Sequence, residues 1–157
     1  MNQFNFTMPT KFYVGFGQVN VLREIAGEYG KKALLCADST MGELGFLEKV
    51  KNLLKEAGVE VEVIDDVQPN PKDVDIDRQV AYFLEKGCDF TVGLGGGSSM
   101  DTAKSVALFH DAGEIHWKEV FSKYSSPSAV YELPGKSVLP VIAVPTTAGT
   151  GSELTQA

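Results

Sequence analysis

Apolar positions along the chain recur in three segments of the same order: an amphipathic stretch, a glycine and a short apolar run. The amphipathic stretches cover residues 19–29, 43–57 and 74–86, and their apolar side chains stand three and four positions apart, as on one face of a helix. Each segment therefore predicts a helix that leads into a buried strand. The residues expected to face inward are Leu22, Ile25, Ala26, Tyr29, Leu47, Val50, Leu54, Ala57, Ile76, Val80, Phe83 and Leu84.

Three glycines separate the predicted helices from the predicted strands. Gly30, Gly58 and Gly87 are expected to end the helices in the left-handed conformation, which glycine adopts without a Cβ clash. Their separation matches one strand, one helix and two turns. This repeated order predicts an α/β fold, with a mostly parallel sheet and helices on both faces. The predicted strands are residues 33–37, 59–64 and 90–94.

The rest of the chain adds a helix, a strand and a long connection between them. Residues 100–109 predict a fourth helix, and the apolar run 138–144 predicts another buried strand. The connection, residues 111–137, combines proline, glycine and serine with several aromatic residues. It is too polar for a core element and too aromatic for a free linker. We therefore interpret it as an excursion that packs on the domain.

Composition narrows the class of partner. The net charge of -7 argues against nucleic-acid binding, which needs clustered Lys and Arg, but main-chain N–H groups could still bind a phosphate ligand. The two cysteines, Cys36 and Cys88, are too few for a disulfide framework and predict reduced core thiols. No apolar run reaches the ~20 residues of a membrane span, and the first residues lack a signal-peptide pattern. We therefore expect a cytoplasmic protein with no membrane partner.

The sequence GGGSSMD contains the strongest candidate site, because it joins a predicted strand to a predicted helix. The first N–H groups of a helix are unpaired, its dipole favours anions there, and glycines let a phosphate approach the main chain. Ser98 is expected to cap the helix in a capping box with Asp101. The glycines are not followed by Lys-Ser/Thr as in a P-loop, and Ser98 takes the last glycine position of a Rossmann fingerprint. A plain tight turn is the alternative interpretation.

A second polar stretch, PTTAGTGSE at residues 145–153, follows the predicted strand 138–144. Ligands of open parallel sheets bind outside the carboxyl ends of the strands. The hydroxyls and glycines of this stretch could therefore line a cofactor cleft. Alternatively, they form a polar loop whose side chains bind its own main chain.

Together, GGGSSMDTAKSVAL and PTTAGTGSE resemble the paired signature of the iron-containing (group III) alcohol dehydrogenase family. The opening KFYVGFG resembles the first strand and turn of that family, and QPNP resembles its Pro-Asn-Pro loop. The resemblance extends from about Pro9 to the last residue. It implies that residues 1–157 are a Rossmann-like domain that binds a nicotinamide dinucleotide and is incomplete at its C-terminal end.

The resemblance also implies roles for particular residues. The glycines would hold the pyrophosphate, and the threonines would line the adenine and ribose side of the cleft. Asp38 follows the predicted strand 33–37, where a carboxylate would bind a ribose 2′-hydroxyl and repel a 2′-phosphate, which favours NAD over NADP. Alternatively, Asp38 only caps the following turn. The implied cofactor-binding residues are Asp38, Asn70, Gly95, Gly96, Gly97, Ser98, Asp101, Thr146, Thr147, Thr150 and Thr155.

Members of this family carry a second, helical domain, in which one Asp and several His hold a divalent metal, iron or zinc. The metal would lower the pKa of a bound alcohol so that hydride can pass to the nicotinamide. Neither His110 nor His116 has a metal-ligand spacing, so we assign both to structural or surface roles. The expected protein is the cofactor-binding part of an NAD(P)-dependent dehydrogenase that interconverts a small alcohol and an aldehyde or ketone. Alone, it is expected to be inactive, with no catalytic or metal-binding residue of its own.

Two alternatives stay open at this point. One is a relative of the glycerol dehydrogenase or dehydroquinate synthase type, although the motif PTTAGTGSE favours the iron-type branch. The other is a non-catalytic module for NAD binding or subunit interaction. In either case, an unpaired sheet edge and an uncovered apolar face would favour a homo-oligomer.

Overall fold

A computed structural model describes residues 10–124 and 132–154 of the chain. Its strands form one parallel sheet in the order β2-β1-β3-β4, which confirms the predicted parallel α/β fold. Each predicted strand is present, although the last begins three residues later than expected, at Val141. The strands are β1 (Lys32–Ala37), β2 (Glu60–Ile64), β3 (Phe90–Gly95) and β4 (Val141–Pro145).

The first predicted helix is divided, whereas the second, at residues 43–57, is one helix that begins at residue 46 and follows a short helix that was not predicted. Residues 19–29 form a 3-10 turn (Gln18–Val21), the short helix α1 (Leu22–Ile25) and a second 3-10 turn (Ala26–Glu28). Residues 39–56 form α2 (Ser39–Glu43) and α3 (Phe46–Glu56). Most of the residues expected to face inward in these segments are buried, but local spacing did not predict the 3-10 turns around α1 or the separate helix α2.

The third and fourth helices are continuous. Helix α4 (Asp73–Lys86) ends at Gly87, whose φ of 64° confirms the left-handed end expected there. Leu84 was expected to face inward, but its side chain is 55% exposed, so that prediction is wrong. Helix α5 (Gly97–Phe109) begins three residues before the predicted start.

Gly30 has a different role from the one predicted. Gly58 has a positive φ of 78°, as expected, but Gly30 is not among the residues with positive φ. A Cβ atom on Gly30 would lie 2.5 Å from Asp89 Cβ. The position therefore needs glycine because Asp89 approaches the main chain closely, and not because a helix ends there.

Two apolar layers cover the two faces of the sheet. Alternate residues of β1 point to opposite faces, so that Leu35 joins α1 and α3 while Leu34 and Cys36 join α4 and α5. Cys36 and Cys88 are buried and unbonded, as predicted. Burial raises the pKa of the Cys36 thiol to about 12 and that of Cys88 to about 11, which keeps both protonated.

The excursion at residues 111–137 contains a helix that the sequence pattern did not predict, α6 (Trp117–Tyr124). The Trp117 ring packs 5.1 Å from the ring of Phe109, and its Nε1–H donates to Asp77 Oδ1 at 3.0 Å. The described part of the excursion therefore packs on the domain, as expected. In the part of the chain that the structure describes, no helix has the length and apolar character needed to cross a bilayer.

Candidate functional site

The strand register brings three loops to one edge of the sheet. Ala37 pairs with Leu94, and Gly95 pairs with Pro145, so β1, β3 and β4 end at nearly the same level. The residues that follow these strands are Asp38, Gly96 and Thr146. The strand order thus places the two sequence motifs and Asp38 beside one another at the carboxyl edge, which is where parallel sheets bind ligands.

The glycine turn between β3 and α5 has no room for side chains at two positions. A Cβ atom on Gly95, whose φ is 137°, would lie 2.8 Å from both Asp38 Oδ2 and Ser99 Oγ. A Cβ atom on Gly97 would lie 2.9 Å from Ser152 Oγ. These glycines therefore let the ends of β1, β3 and the loop after β4 approach one another closely.

Gly96 lies between them and differs from both. Its φ is −84°, which any residue adopts, and a Cβ atom there would lie 3.4 Å from Thr147 Oγ1. Gly96 is the N-cap of α5, and no side chain caps the helix at this position. The first turn of a thirteen-residue helix therefore begins at the carboxyl edge, with the positive end of its dipole in the site.

Ser98 and Asp101 are not the capping pair that the sequence predicted. Because α5 begins at Gly97, Ser98 is already the second residue of the helix and Asp101 is the fifth. Glycine's low helix propensity made the later start look more favourable from sequence alone. Asp101 Oδ1 instead lies 3.4 Å from Lys104 Nζ, one turn further along the helix. Ser98 Oγ accepts a hydrogen bond from the main-chain N–H of Asn70 at 3.1 Å.

Asp38 has the capping role, which is one of the two interpretations that the sequence left open. Its Oδ1 accepts a hydrogen bond from the N–H of Thr40 at 3.0 Å and so caps α2. Its Oδ2 lies toward Gly95, at the glycine turn. The side chain is half-buried, and the cap fixes the carboxylate with one oxygen directed at the site.

The threonines after β4 differ in how closely they contact the glycine turn. Thr146 donates its N–H to Gly95 O at 2.9 Å, and Thr147 is the neighbour of Gly96. Thr150 Oγ1 accepts from the N–H of Ser152 at 3.3 Å, as expected for a loop that binds its own main chain. Thr146, Thr147 and Thr150 are all exposed. Thr155 lies outside the described residues.

Two serines that were not singled out from the sequence support the turn from behind. Ser99 is 1% exposed and lies against Gly95, while Ser152 is 8% exposed and lies against Gly97. Ser99 belongs to GGGSSMD and Ser152 to PTTAGTGSE. No pattern in the sequence distinguishes a buried serine hydroxyl from one that faces a ligand. Their burial assigns them to the shape of the turn.

The histidines lie away from this edge. His110 is the C-cap of α5, and its Nδ1 lies 3.0 Å from Ala107 O; His116 is exposed next to α6. Within residues 10–124 and 132–154, no three His, Cys, Asp or Glu side chains are grouped closely enough to hold a metal ion.

The comparisons with known proteins agree on one family. A sequence model described as "Iron-containing alcohol dehydrogenase" matches residues 9–157. The chain is 37% identical over 153 residues to the NAD-dependent methanol dehydrogenase of Bacillus methanolicus, covering 96% of this chain and 38% of the relative. It is 33% identical over 150 residues to the NADPH-dependent butanol dehydrogenase of Clostridium saccharobutylicum, covering 96% of this chain and 37% of the relative.

Solved structures agree with the sequence relatives. The iron-containing alcohol dehydrogenase of Thermotoga maritima superposes with a TM-score of 0.79 at 34% identity, covering 96% of this chain and 40% of that one. The sulfoacetaldehyde reductase of Bifidobacterium kashiwanohense, solved with NAD+, superposes with a TM-score of 0.77 at 25% identity, covering 99% of this chain and 39% of that one. The chain thus spans about two fifths of the length of the relatives that it matches.

Proposed function

The chain belongs to the iron-containing alcohol dehydrogenase family, and we propose that residues 1–157 are the dinucleotide-binding part of such an enzyme. The proposed reaction transfers a hydride between a nicotinamide cofactor and a small alcohol, which becomes an aldehyde or ketone. The observation that carries the proposal is the glycine turn at the start of α5, which meets Asp38 and the loop after β4 at one edge of the sheet.

In this proposal the pyrophosphate lies over Gly95, Gly96 and Gly97. The free N–H groups of the first turn of α5 and the helix dipole both favour a negative group there. Gly96 is the least crowded of the three glycines, since a Cβ atom there would lie 3.4 Å from its nearest neighbour, Thr147 Oγ1. A phosphate could therefore approach its main chain closely. The remaining proposed contacts are Asn70, Ser98, Asp101, Thr146, Thr147, Thr150 and Thr155.

We further propose that the cofactor is NAD rather than NADP. Asp38 Oδ2 is the oxygen that would accept a hydrogen bond from the ribose 2′-hydroxyl, and its charge would repel a 2′-phosphate. The relatives do not decide this, since one is named NAD-dependent and another NADPH-dependent. The preference therefore rests on the position of Asp38 in this chain.

The 157 residues on their own are expected to show no alcohol-dependent reduction of NAD, even with added iron or zinc. A neutral alcohol keeps a pKa near that of water, and loss of hydride from it is slow without a metal or a base. Absorbance at the NADH band, followed with a panel of short alcohols, measures this directly. Metal-stimulated turnover would contradict the assignment of these residues to cofactor binding alone. Binding of NADH without turnover would also fit the second candidate, a non-catalytic NAD-binding module.

The proposal includes a cytoplasmic location, since the two unbonded thiols suit a reducing compartment, and it includes self-association. In the described sheet, β4 pairs on one side only, with β3. Its side chains from Val141 to Val144 are only half-buried. An edge of this kind tends to pair with another chain, and light scattering over a concentration series would detect a dimer.

A further inference from the structure

A hydrogen bond joins a loop to the first turn of α5, which is far from that loop in sequence. The N–H of Asn70, in the Pro-Asn-Pro loop, donates to Ser98 Oγ, in the first turn of α5, at 3.1 Å. Pro69 and Pro71 have no main-chain N–H, so Asn70 supplies the only main-chain donor of this triplet. That one donor is directed at the Ser98 hydroxyl.

This contact limits what the Ser98 hydroxyl can do. A hydroxyl has one proton and two lone pairs, and the N–H of Asn70 occupies one of the lone pairs. The hydroxyl proton must therefore point elsewhere. Among residues 10–124 and 132–154, the structure shows no acceptor for that proton. Ser98 stands in the first turn of α5, where the helix dipole favours an anion.

We propose that Asn70 is a positioning residue, whose main-chain N–H holds the Ser98 hydroxyl so that this hydroxyl donates its proton to a phosphate oxygen of the dinucleotide. The inference rests on the proposed function, which supplies the dinucleotide. A hydrogen bond to a charged oxygen is stronger than one between neutral groups, so its alignment affects affinity. Without the N–H of Asn70, the hydroxyl is free to rotate away from the phosphate.

The residue type at position 70 controls where that N–H points. Asn70 has a φ of 54°, and it is the only described residue other than glycine with a positive φ. Asparagine tolerates this left-handed conformation, whereas a β-branched residue does not. A residue that leaves the left-handed region would turn its N–H away from Ser98.

Two substitutions separate the main chain of Asn70 from its side chain. Asn70→Gly and Asn70→Val both remove the carboxamide, but only glycine keeps a φ of 54° without strain. A difference between them therefore reports the direction of the N–H. We expect Asn70→Val to bind NADH roughly tenfold more weakly than Asn70→Gly, as measured by calorimetric titration.

The same pair in a Ser98→Ala background tests whether the effect passes through the hydroxyl. With no hydroxyl to orient, the two variants at position 70 should bind NADH equally. Equal affinities while Ser98 is present would overturn the inference. A difference that persists after Ser98→Ala would also overturn it, because the loop would then act by another route.

Amide hydrogen exchange tests the contact without any ligand. The Asn70 amide of the unaltered chain should exchange several-fold more slowly than in Ser98→Ala. Exchange that is unaffected by Ser98→Ala, in a chain that binds NADH, would overturn the positioning role and leave the proposed function standing. A protected amide in a chain that binds no NADH would overturn both the proposed function and the donation to phosphate.

Discussion

Two carboxylates at opposite ends of the central strands serve different purposes. At the amino end, Asp89 Oδ2 accepts from the N–H groups of Lys31 and Lys32, at 2.6 and 2.9 Å, and so ties β3 to the start of β1. At the carboxyl end, Asp38 uses Oδ1 to cap α2 and presents Oδ2 to the glycine turn. One carboxylate joins neighbouring strands, and the other keeps an oxygen at a site.

Each of these carboxylates lies against a glycine, Asp89 against Gly30 and Asp38 against Gly95, but the carboxyl end also has the neighbouring Gly96. Gly30 lies directly against Asp89, which fills the space that a side chain would need. Gly96 has an ordinary φ, a Cβ atom there would lie 3.4 Å from its nearest neighbour, Thr147 Oγ1, and it stands at the N-terminus of α5. Gly30 is therefore closed off by its own chain, whereas Gly96 stands beside the unpaired N–H donors of the first turn of α5. This difference between the ends supports the placement of the ligand.

Gly96→Val should produce the largest effect and should act only at the carboxyl end. Its φ of −84° suits valine and its nearest protein neighbour is 3.4 Å away, so the fold should survive while the added side chain blocks the pyrophosphate. We expect NADH affinity to fall more than tenfold, measured by fluorescence titration, with an unchanged thermal melt. Undiminished NADH binding by the folded variant would mean that the turn is only structural.

Asp38→Asn should change the choice of cofactor by roughly tenfold, about 1.4 kcal/mol in relative binding free energy. The amide oxygen can still cap α2 through Thr40, so this substitution removes the charge and keeps the cap. We expect weaker NADH binding and tighter NADPH binding in parallel calorimetric titrations. Asp38→Gly should reduce or reverse the preference for NADH over NADPH by a larger factor, but it also removes the side-chain cap of α2. Equal affinity of the unaltered chain for both cofactors would contradict the role of Asp38.

Asp89→Ala should have the smallest effect, and it should affect stability alone. Loss of its two main-chain hydrogen bonds should lower the free energy of unfolding by about 1 kcal/mol, a modest value because these groups are exposed and water can replace the carboxylate. Asp89→Asn retains an acceptor and serves as the matched control in urea denaturation. A marked loss of NADH affinity in folded Asp89→Ala would remove the distinction between the two ends.

The sequence predicted those features that depend on short-range patterns. Helix spacing identified the apolar faces, and Gly58 and Gly87 end their helices as expected. Gly30 could not be assigned from sequence, because its role depends on Asp89, which is distant along the chain. The early start of α5 was missed for a related reason, since glycine's low propensity is outweighed by the close packing of Gly97 on Ser152.

The arrangement of the site depended on information that local patterns do not contain. An αβ repeat predicts that all parallel strands end at one edge, but it does not say which strands are neighbours. The order β2-β1-β3-β4 places β1 and β4 on either side of β3, and this brings Asp38 and Thr147 to the same turn. The family resemblance names these residues together but does not give their positions. The contact between Asn70 and Ser98 was not predictable from either source.

The most direct test of the central claim is to map NADH binding on the amide NMR spectrum of the 157-residue chain, because both ends of the sheet are seen in one experiment. We predict saturable shifts at Gly95, Gly96, Gly97 and Thr147, with Lys31, Lys32 and Asp89 unmoved. Shifts centred on the amino end, or no shifts at saturating NADH, would contradict the assignment of the carboxyl edge as the dinucleotide site.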